Sequence, residues 1–416
     1  MANGLSVDQA RTTAEAVARR SYGKLIAFLA ARTRDVAGAE DALSEAFASA
    51  LAEWPVNGCP ANPEGWLLTV ARRKMIDVSR RRRTGETAAE QILILTDGLE
   101  AAVGEEPEIP DNRLALMFAC AHPAIDAGIR APLILQVVLG LDAATIASAF
   151  LMAPATMGQR LVRAKNKIRQ AAIPFRIPER EELRDRLDAV LEAIYAVYAE
   201  GWADAAGTDI ARRDLSEEGI FLGHLVTELL PGEPEALGLL ALMLYAEARR
   251  RARRSAHGEY VPLAQQDSAS WDSAMVHKAE ALLHEASGKG AIGRYQLEAA
   301  LQSAHCDRRL RGTANWSQIV QLYDALLALT GSPVVAINRA LAVAELHGPA
   351  AALAALADVS GDSRLVEYQP YWAARAELLA KTGAASDARH AYDVAIGLER
   401  DPAVRHFLQQ RKAALT

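Results

Sequence analysis

Residues Asn62 to Arg83, NPEGWLLTVARRKMIDVSRRRR, leave the chain few ways to fold. After a turn bearing proline and glycine, Trp66, Leu67, Val70, Ala71 and Met75 recur at the spacing of one helix side. The same segment carries Arg72, Arg73 and Lys74 and then four arginines, Arg80 to Arg83. Such a stretch is predicted to be a helix with a packed apolar face beside a cationic face, the form suited to lying against a phosphate backbone. The tryptophan at its start can also support an unstacked base.

The cationic helix stands out because the chain is acidic overall. Formal charge is −6 over 416 residues, but it is unevenly spread. Residues 1–178 hold 21 Lys+Arg against 19 Asp+Glu; by difference from 46 and 52, the remainder holds 25 against 33. The N-terminal part is therefore the candidate for a polyanion partner and the C-terminal part is a poor one. Alanine and leucine dominate and aromatics are few, which predicts an all-α protein of about two to four domains. Cys59, Cys120 and Cys306 are far apart and odd in number, giving neither a disulfide framework nor a zinc spacing. No signal peptide is read at Met1 to Leu5, and the longest apolar runs, such as Leu237 to Ala246, are too short to span a bilayer. A cytoplasmic helical protein without a membrane partner is the expectation.

Along the chain, residues 11–54 read as helices broken near Asp35–Gly38. Leu43, Phe47, Leu51 and Trp54 form the expected inner face of the second, with Asp41, Ser44 and Glu45 on the other side. Residues 86–112 read as an acidic linker closed by Pro107 and Pro110. Helical patterning resumes from Arg113 to about Ala172, and Pro174 and Pro178 mark a second boundary. From Glu179 onward the pattern is helix after helix. DARHAYDVAIGLERDP, with Ala388, Tyr392 and Pro402, resembles the second helix of a tetratricopeptide repeat, and Trp316 to Leu346 forms a second candidate pair.

A second basic cluster lies in Asp142 to Arg169, DAATIASAFLMAPATMGQRLVRAKNKIR, which reads as helix, turn and helix. Asp142 is the expected N-cap, with Ile146, Ala147 and Phe150 inward and the turn near Met152–Pro154. The second helix presents Thr156, Gln159, Arg160, Arg163, Lys165 and Lys167 against a buried side of Met157, Leu161 and Ile168. No acidic residue falls between Asp142 and Glu179. This pattern places side chains in a major groove; read alone, a solvated helical hairpin remains the alternative.

Taken together, AEDALSEAFASALAEW (Ala39 to Trp54) followed by Asn62 to Arg83 resembles region 2 of the sigma-70 family, and most closely its extracytoplasmic-function (ECF) group. The helix pair resembles sigma region 4, and Arg113 to Ile125, RLALMFACAHPAI, resembles the start of that region in an ECF subgroup with a long helical, tetratricopeptide-like extension. The resemblance implies a non-enzymatic subunit that directs core RNA polymerase to promoters. Residues 1–85 would bind the β′ clamp and the −10 strand, 113–174 would read the −35 duplex beside the β flap, and 179–416 would form a regulatory extension that docks on the sigma domains or a regulatory protein. It implies polymerase contacts at Asp41 and Glu45 and −10 contacts at Asn62, Trp66, Arg72, Arg73, Asp77 and Arg80. The −35 contacts would be Thr156, Gln159, Arg160, Arg163, Lys165 and Lys167. Gly158 departs from the family, which often has a cation there.

Other constellations are weak. Gly288, Gly290 and Gly293 spell GxGxxG, but no strand precedes them and the setting is helical. The nine histidines, His305 beside Cys306 included, lack paired ligand spacing, so no metal or cofactor is expected. No nucleophile elbow or phosphate loop occurs. Arg249 to Arg254 reads as a solvated or internally salt-bridged run. The rival readings are a one-component regulator binding DNA through the helix pair alone, with repeats as a sensor, and an enzyme hidden in the C-terminal helices.

Overall fold

A computed structural model describes residues 7–81, 112–150, 152–203, 210–312 and 315–415. Among them there are helices and turns and no strand; the one β-bridge joins Arg254 to Tyr260. The chain is all-α, as its composition predicts. It divides into two compact units, 1–197 and 198–416. Of the expected linker, 86–112, all but Asn112 lies outside the described residues, as do the side chains of Arg80 to Arg83.

The first unit opens with α1 (Val7–Thr33), α2 (Val36–Asn57) and α3 (Pro63–Arg81), which pack on one another. The Asp35 carboxylate starts α2 by accepting from the Gly38 amide at 3.0 Å. The inner face of α2 is Val36, Ala39, Leu43, Ala46, Ala50 and Trp54. Leu51, expected on that face, is instead 48% exposed. The small alanines carry the contact, because they let neighbouring helices approach where a leucine row would hold them apart. At the start of α3, Asn62 Oδ1 accepts from the Gly65 amide at 2.9 Å, and the Ser21 hydroxyl of α1 donates to Glu64.

The rest of this unit comprises α4 (Arg113–Cys120), α5 (Ala127–Leu139), α6 (Ala143–Ala149), α7 (Pro154–Gln170) and most of α8 (Arg180–Ala203). Leu116, Met117 and Phe118 of α4 and Leu133, Ile134 and Val137 of α5 are fully buried. Helix α5 lies hard against α1. A Cβ at Gly23 would stand 1.8 Å from the Val138 carbonyl oxygen, so only glycine permits this approach. Asp142 caps α6 by accepting from the Ala144 and Thr145 amides at 2.8 and 3.0 Å. Those bonds, the Thr145 amide first, hold its carboxyl below the usual range. Pro154 begins α7 at a position where its missing N–H costs nothing.

The second unit continues through α9 (Ile210–Leu229), α10 (Pro234–Ala248), α11 (Ser273–Ser287) and α12 (Arg294–Arg311). Helix α10 is buried on almost every side and packs against α11 and α12. Then come α13 (Trp316–Thr330), α14 (Pro333–His347), α15 (Pro349–Ala357), α16 (Gln369–Lys381), α17 (Ala385–Leu398) and α18 (Pro402–Ala413). Their cores follow one another along the chain: Leu301 with Ile319 and Leu326, then Ile337 with Leu356 and Leu378, then Ala391 and Tyr392 with Leu408. The GxGxxG segment joins α11 to α12. The Glu235 carboxylate fills the space at Gly293 and accepts from the Tyr295 and Gln296 amides at 2.9 and 3.2 Å. The N-terminus of α12 is thus capped by the chain's own anion, which leaves no cradle for a dinucleotide phosphate.

Candidate nucleic-acid interface

Helices α2 and α3 present two neighbouring outer surfaces. On α2, Asp41, Glu45, Ala48 and Ala52 follow one another at helical spacing and are exposed, with Leu51 beside them. On α3, Trp66, Val70, Arg73 and Asp77 recur at i, i+4, i+7 and i+11. Arg73 and Asp77 are exposed, while Trp66 is half-buried, its ring edge-on to that of Trp54 at 5.5 Å. Asn62 is exposed in the turn before the helix. Between the two surfaces, Lys74 meets Glu45 at 3.0 Å.

Arg72 departs from the sequence reading. It falls within the arc of Leu67, Leu68, Ala71, Met75 and Ile76, is 5% exposed, and lays its guanidinium over the Phe28 ring at 4.8 Å. Two adjacent arginines therefore point to opposite environments. Arg72 belongs to the packing between α1 and α3, and Arg73 belongs to the outer surface. The side chain of Arg80 lies outside the described residues.

Helix α7 divides its cations in the same way. Thr156, Gln159, Arg163 and Lys167 are exposed and share one stripe with the partly covered Arg160. Arg160 donates to Asp126 Oδ1 at 2.6 Å. With Ile125, Asp126 and Ile129, four of these residues (Thr156, Arg160, Arg163 and Lys167) line a shallow cavity of about 380 Å³. A Cβ at Gly158, two turns before Lys165 and on the side away from this stripe, would meet open space.

Lys165 is on the opposite side of α7, and its assignment to the stripe is corrected. Its ammonium meets Glu40 of α2 at 2.7 Å, with both side chains nearly covered (13% and 14% exposed). One turn on, Arg169 reaches Asp35 at 3.5 Å. These pairs join the second basic helix to the helix that carries Asp41 and Glu45. Burial raises the Glu40 carboxyl above the usual range, and Lys165 opposes that shift. Burial also raises the neighbouring Tyr22 phenol, with Glu40 adding to the effect. Sequence reasoning missed Asp35 and Glu40. The available signal was that Lys165 and Arg169 are spaced i, i+4 on the side away from Thr156.

Among the described residues, no group of three His, Cys, Asp or Glu side chains could hold a metal, and no helix is long and apolar enough to cross a membrane. The geometry is that of a helical bundle in which the acidic face of α2 adjoins a tryptophan-led outer row on α3 that carries Arg73 and Asp77.

Comparison with known proteins gives that class a family. Residues 17–85, spanning α1 to α3, match Sigma-70 region 2. Residues 186–287 match a family of unknown function, DUF6596. The chain is 38% identical over 378 residues to an uncharacterized protein of Rhizobium meliloti, covering 90% of this chain and 89% of the relative. No solved structure matches. The chain belongs to the same family as that Rhizobium protein and carries the region 2 domain of a sigma-70 family sigma factor, a class that binds core RNA polymerase and promoter DNA in transcription initiation.

Proposed function

We propose that this protein is an ECF-type sigma factor that directs core polymerase to promoters with −10 and −35 elements, acting in the cytoplasm and without catalysing a reaction. One observation carries the reading: the exposed acidic row of α2 and the outer row of α3 lie side by side on one bundle. Asp41 and Glu45 meet a basic element of the β′ clamp, with Leu51 supplying apolar contact. Asn62, Trp66, Arg73 and Asp77 take the −10 strand; the half-buried Trp66 keeps one part of its ring packed and offers the rest as a stacking surface. Thr156, Gln159, Arg160, Arg163 and Lys167 enter the major groove at the −35 element, α6 and α7 forming a helix-turn-helix within residues 113–174.

The two elements are separate segments of the promoter, whereas α7 is held against α2 here, so α7 leaves α2 when both are read together. The Glu40–Lys165 and Asp35–Arg169 pairs are the polar contacts that break. The helical extension, with its successive tetratricopeptide-like pairs, controls activity by binding the sigma domains or a regulatory protein.

The test is run-off transcription with core polymerase and full-length protein. Asp41→Lys with Glu45→Lys should abolish polymerase capture and transcription while leaving folding intact. A one-component regulator would lose neither. The truncation 1–178 is expected to lose activity, which assigns the extension a required role.

A further inference from the structure

Five of the six residues from Arg249 to Arg254 are arginines, and only Arg251 is exposed. They form the end of α10 and a 3₁₀ turn, Arg250–Arg253. Some of their hydrogen-bonding capacity has a structural use. Arg250 Nη1 donates to the Gly201 carbonyl at 3.3 Å and Arg253 Nη1 to the Trp202 carbonyl at 2.5 Å. Both carbonyls belong to the last turn of α8, where cations are favoured. Arg249 and Arg253 lay their guanidiniums over the Trp202 ring at 5.0 and 3.6 Å. Arg250 pairs with Glu247 at 2.6 Å, Arg254 with Asp401, and Arg249 reaches Gln302 at 3.3 Å.

The structural role leaves a remainder. Arg249 Nε, Arg250 Nη2, Arg254 Nε and Nη1, and Trp202 Nε1 are buried donors with no acceptor among the described residues. The Arg250 and Arg254 side chains are only 14% and 11% exposed. Among the described residues, the four guanidiniums here have two carboxylate partners, Glu247 and Asp401. Burial, then repulsion from Arg249 with further contributions from Arg250 and Arg254, brings Arg253 down to about 10, so the four charges act on one another. Arginine does not shed its proton to relieve this. Donors left unmade in a low-dielectric site are costly, and a buried excess of like charge more so.

We infer that the Arg249–Arg254 turn, together with Trp202, is a binding site for a phosphoryl dianion, either free phosphate or the phosphate of a small phosphorylated molecule. An excess of two positive charges matches a dianion, and several forked N–H groups match its three or four oxygens. A carboxylate would leave one charge uncompensated. Duplex DNA does not fit, because the cations other than Arg251 are turned inward. The Trp202 ring carries guanidiniums, so it positions them. The site falls within the part of the chain matched by the family of unknown function, and it is independent of the sigma reading.

The test is equilibrium dialysis of the full chain against radiolabelled inorganic phosphate, at constant ionic strength with chloride as the balancing salt. One phosphate should bind per chain, saturably, at or below about 1 mM, and raise Tm by several degrees at saturation. Competition by glycerol 3-phosphate tighter than phosphate itself assigns the site to a phosphomonoester; weaker competition assigns it to free phosphate. Arg249→Lys with Arg254→Lys keeps the charges and removes the forks, and should weaken binding at least tenfold with helix content unchanged. Arg251→Ala should bind as the parent does. Absence of stoichiometric phosphate binding to the unaltered protein overturns the proposal. So does equal binding of acetate, or unchanged affinity in the double lysine variant.

Discussion

Helices α3 and α7 are the two basic helices of the first unit, and they spend their positive charge differently. In α3 the division runs between sequence neighbours: Arg72 is packed over Phe28 while Arg73 faces out. In α7 it runs between opposite faces: Arg163 and Lys167 face out while Lys165 and Arg169 bind the carboxylates of α2. In both, a run of cations in sequence is not a cationic face. The comparison separates charges that hold the fold from charges available to a ligand, and each class can be broken independently.

The largest expected effect comes from a charge that holds. Lys165→Met leaves Glu40 nearly covered without its cation, which should cost about 3 kcal/mol in urea unfolding. Adding Glu40→Gln should recover most of that loss, giving a large coupling energy in a double-mutant cycle. The same pair predicts a pH trend. The folded-state pKa of Glu40 lies above its ordinary 4.5, so the folded form binds the proton more tightly. The stability this group confers is complete below that ordinary value and is lost as pH rises through the folded value; Glu40→Gln should remove the trend. Affinity of Lys165→Met for a duplex carrying the −35 element alone, measured at one salt concentration, should stay within about twofold, since no phosphate contact is assigned to it.

The outward stripe should give the reverse result. Arg163→Ala with Lys167→Ala removes two phosphate contacts, and −35 duplex binding should weaken roughly thirtyfold with the salt slope reduced by about two. Unfolding stability should change by less than about 0.5 kcal/mol, as for exposed positions generally. If the duplex slope falls instead for Lys165→Met, the two faces of α7 have been assigned the wrong way round.

The neighbours on α3 sharpen the same point at smaller scale. Arg72→Ala removes a buried stem and a cation–π contact and should destabilise by about 2 kcal/mol. Arg73→Ala should leave the midpoint of unfolding in place and weaken binding of a −10 single strand about fivefold.

Much of this was legible in the sequence. The all-α class, the breaks at Asp35 and Pro154, and the buried side of α7 follow from periodicity and caps. What was not legible depends on helix phase and on partners distant in sequence. Arg72 and Arg73 look alike in a basic run, and only the full arc of Leu67, Leu68, Ala71, Met75 and Ile76 puts one inside. Leu51 was expected inside because hydrophobicity favours leucine over alanine, whereas packing on α2 favours alanine. Helix phase put Lys165 on the side away from Thr156, but its partner Glu40, which stands 125 positions away, was not legible.

The smallest expected effect concerns Glu45 and Lys74, which meet at 3.0 Å with side chains 59% and 43% exposed. At that exposure solvent screens the attraction, and ordering two side chains offsets much of what remains. Glu45→Gln should therefore change unfolding stability by less than about 0.5 kcal/mol and leave the fold untouched. Near-zero cost to the fold makes the position informative. Any loss of polymerase capture by Glu45→Gln, measured by gel filtration with core enzyme, reports on the interface alone. Lys74→Met provides the control, since it removes the same ion pair while leaving the carboxylate free. If Lys74→Met weakens capture as much as Glu45→Gln does, the pair acts as a unit. If it strengthens capture, Lys74 competes with the polymerase for Glu45, and the acidic row of α2 is the docking surface.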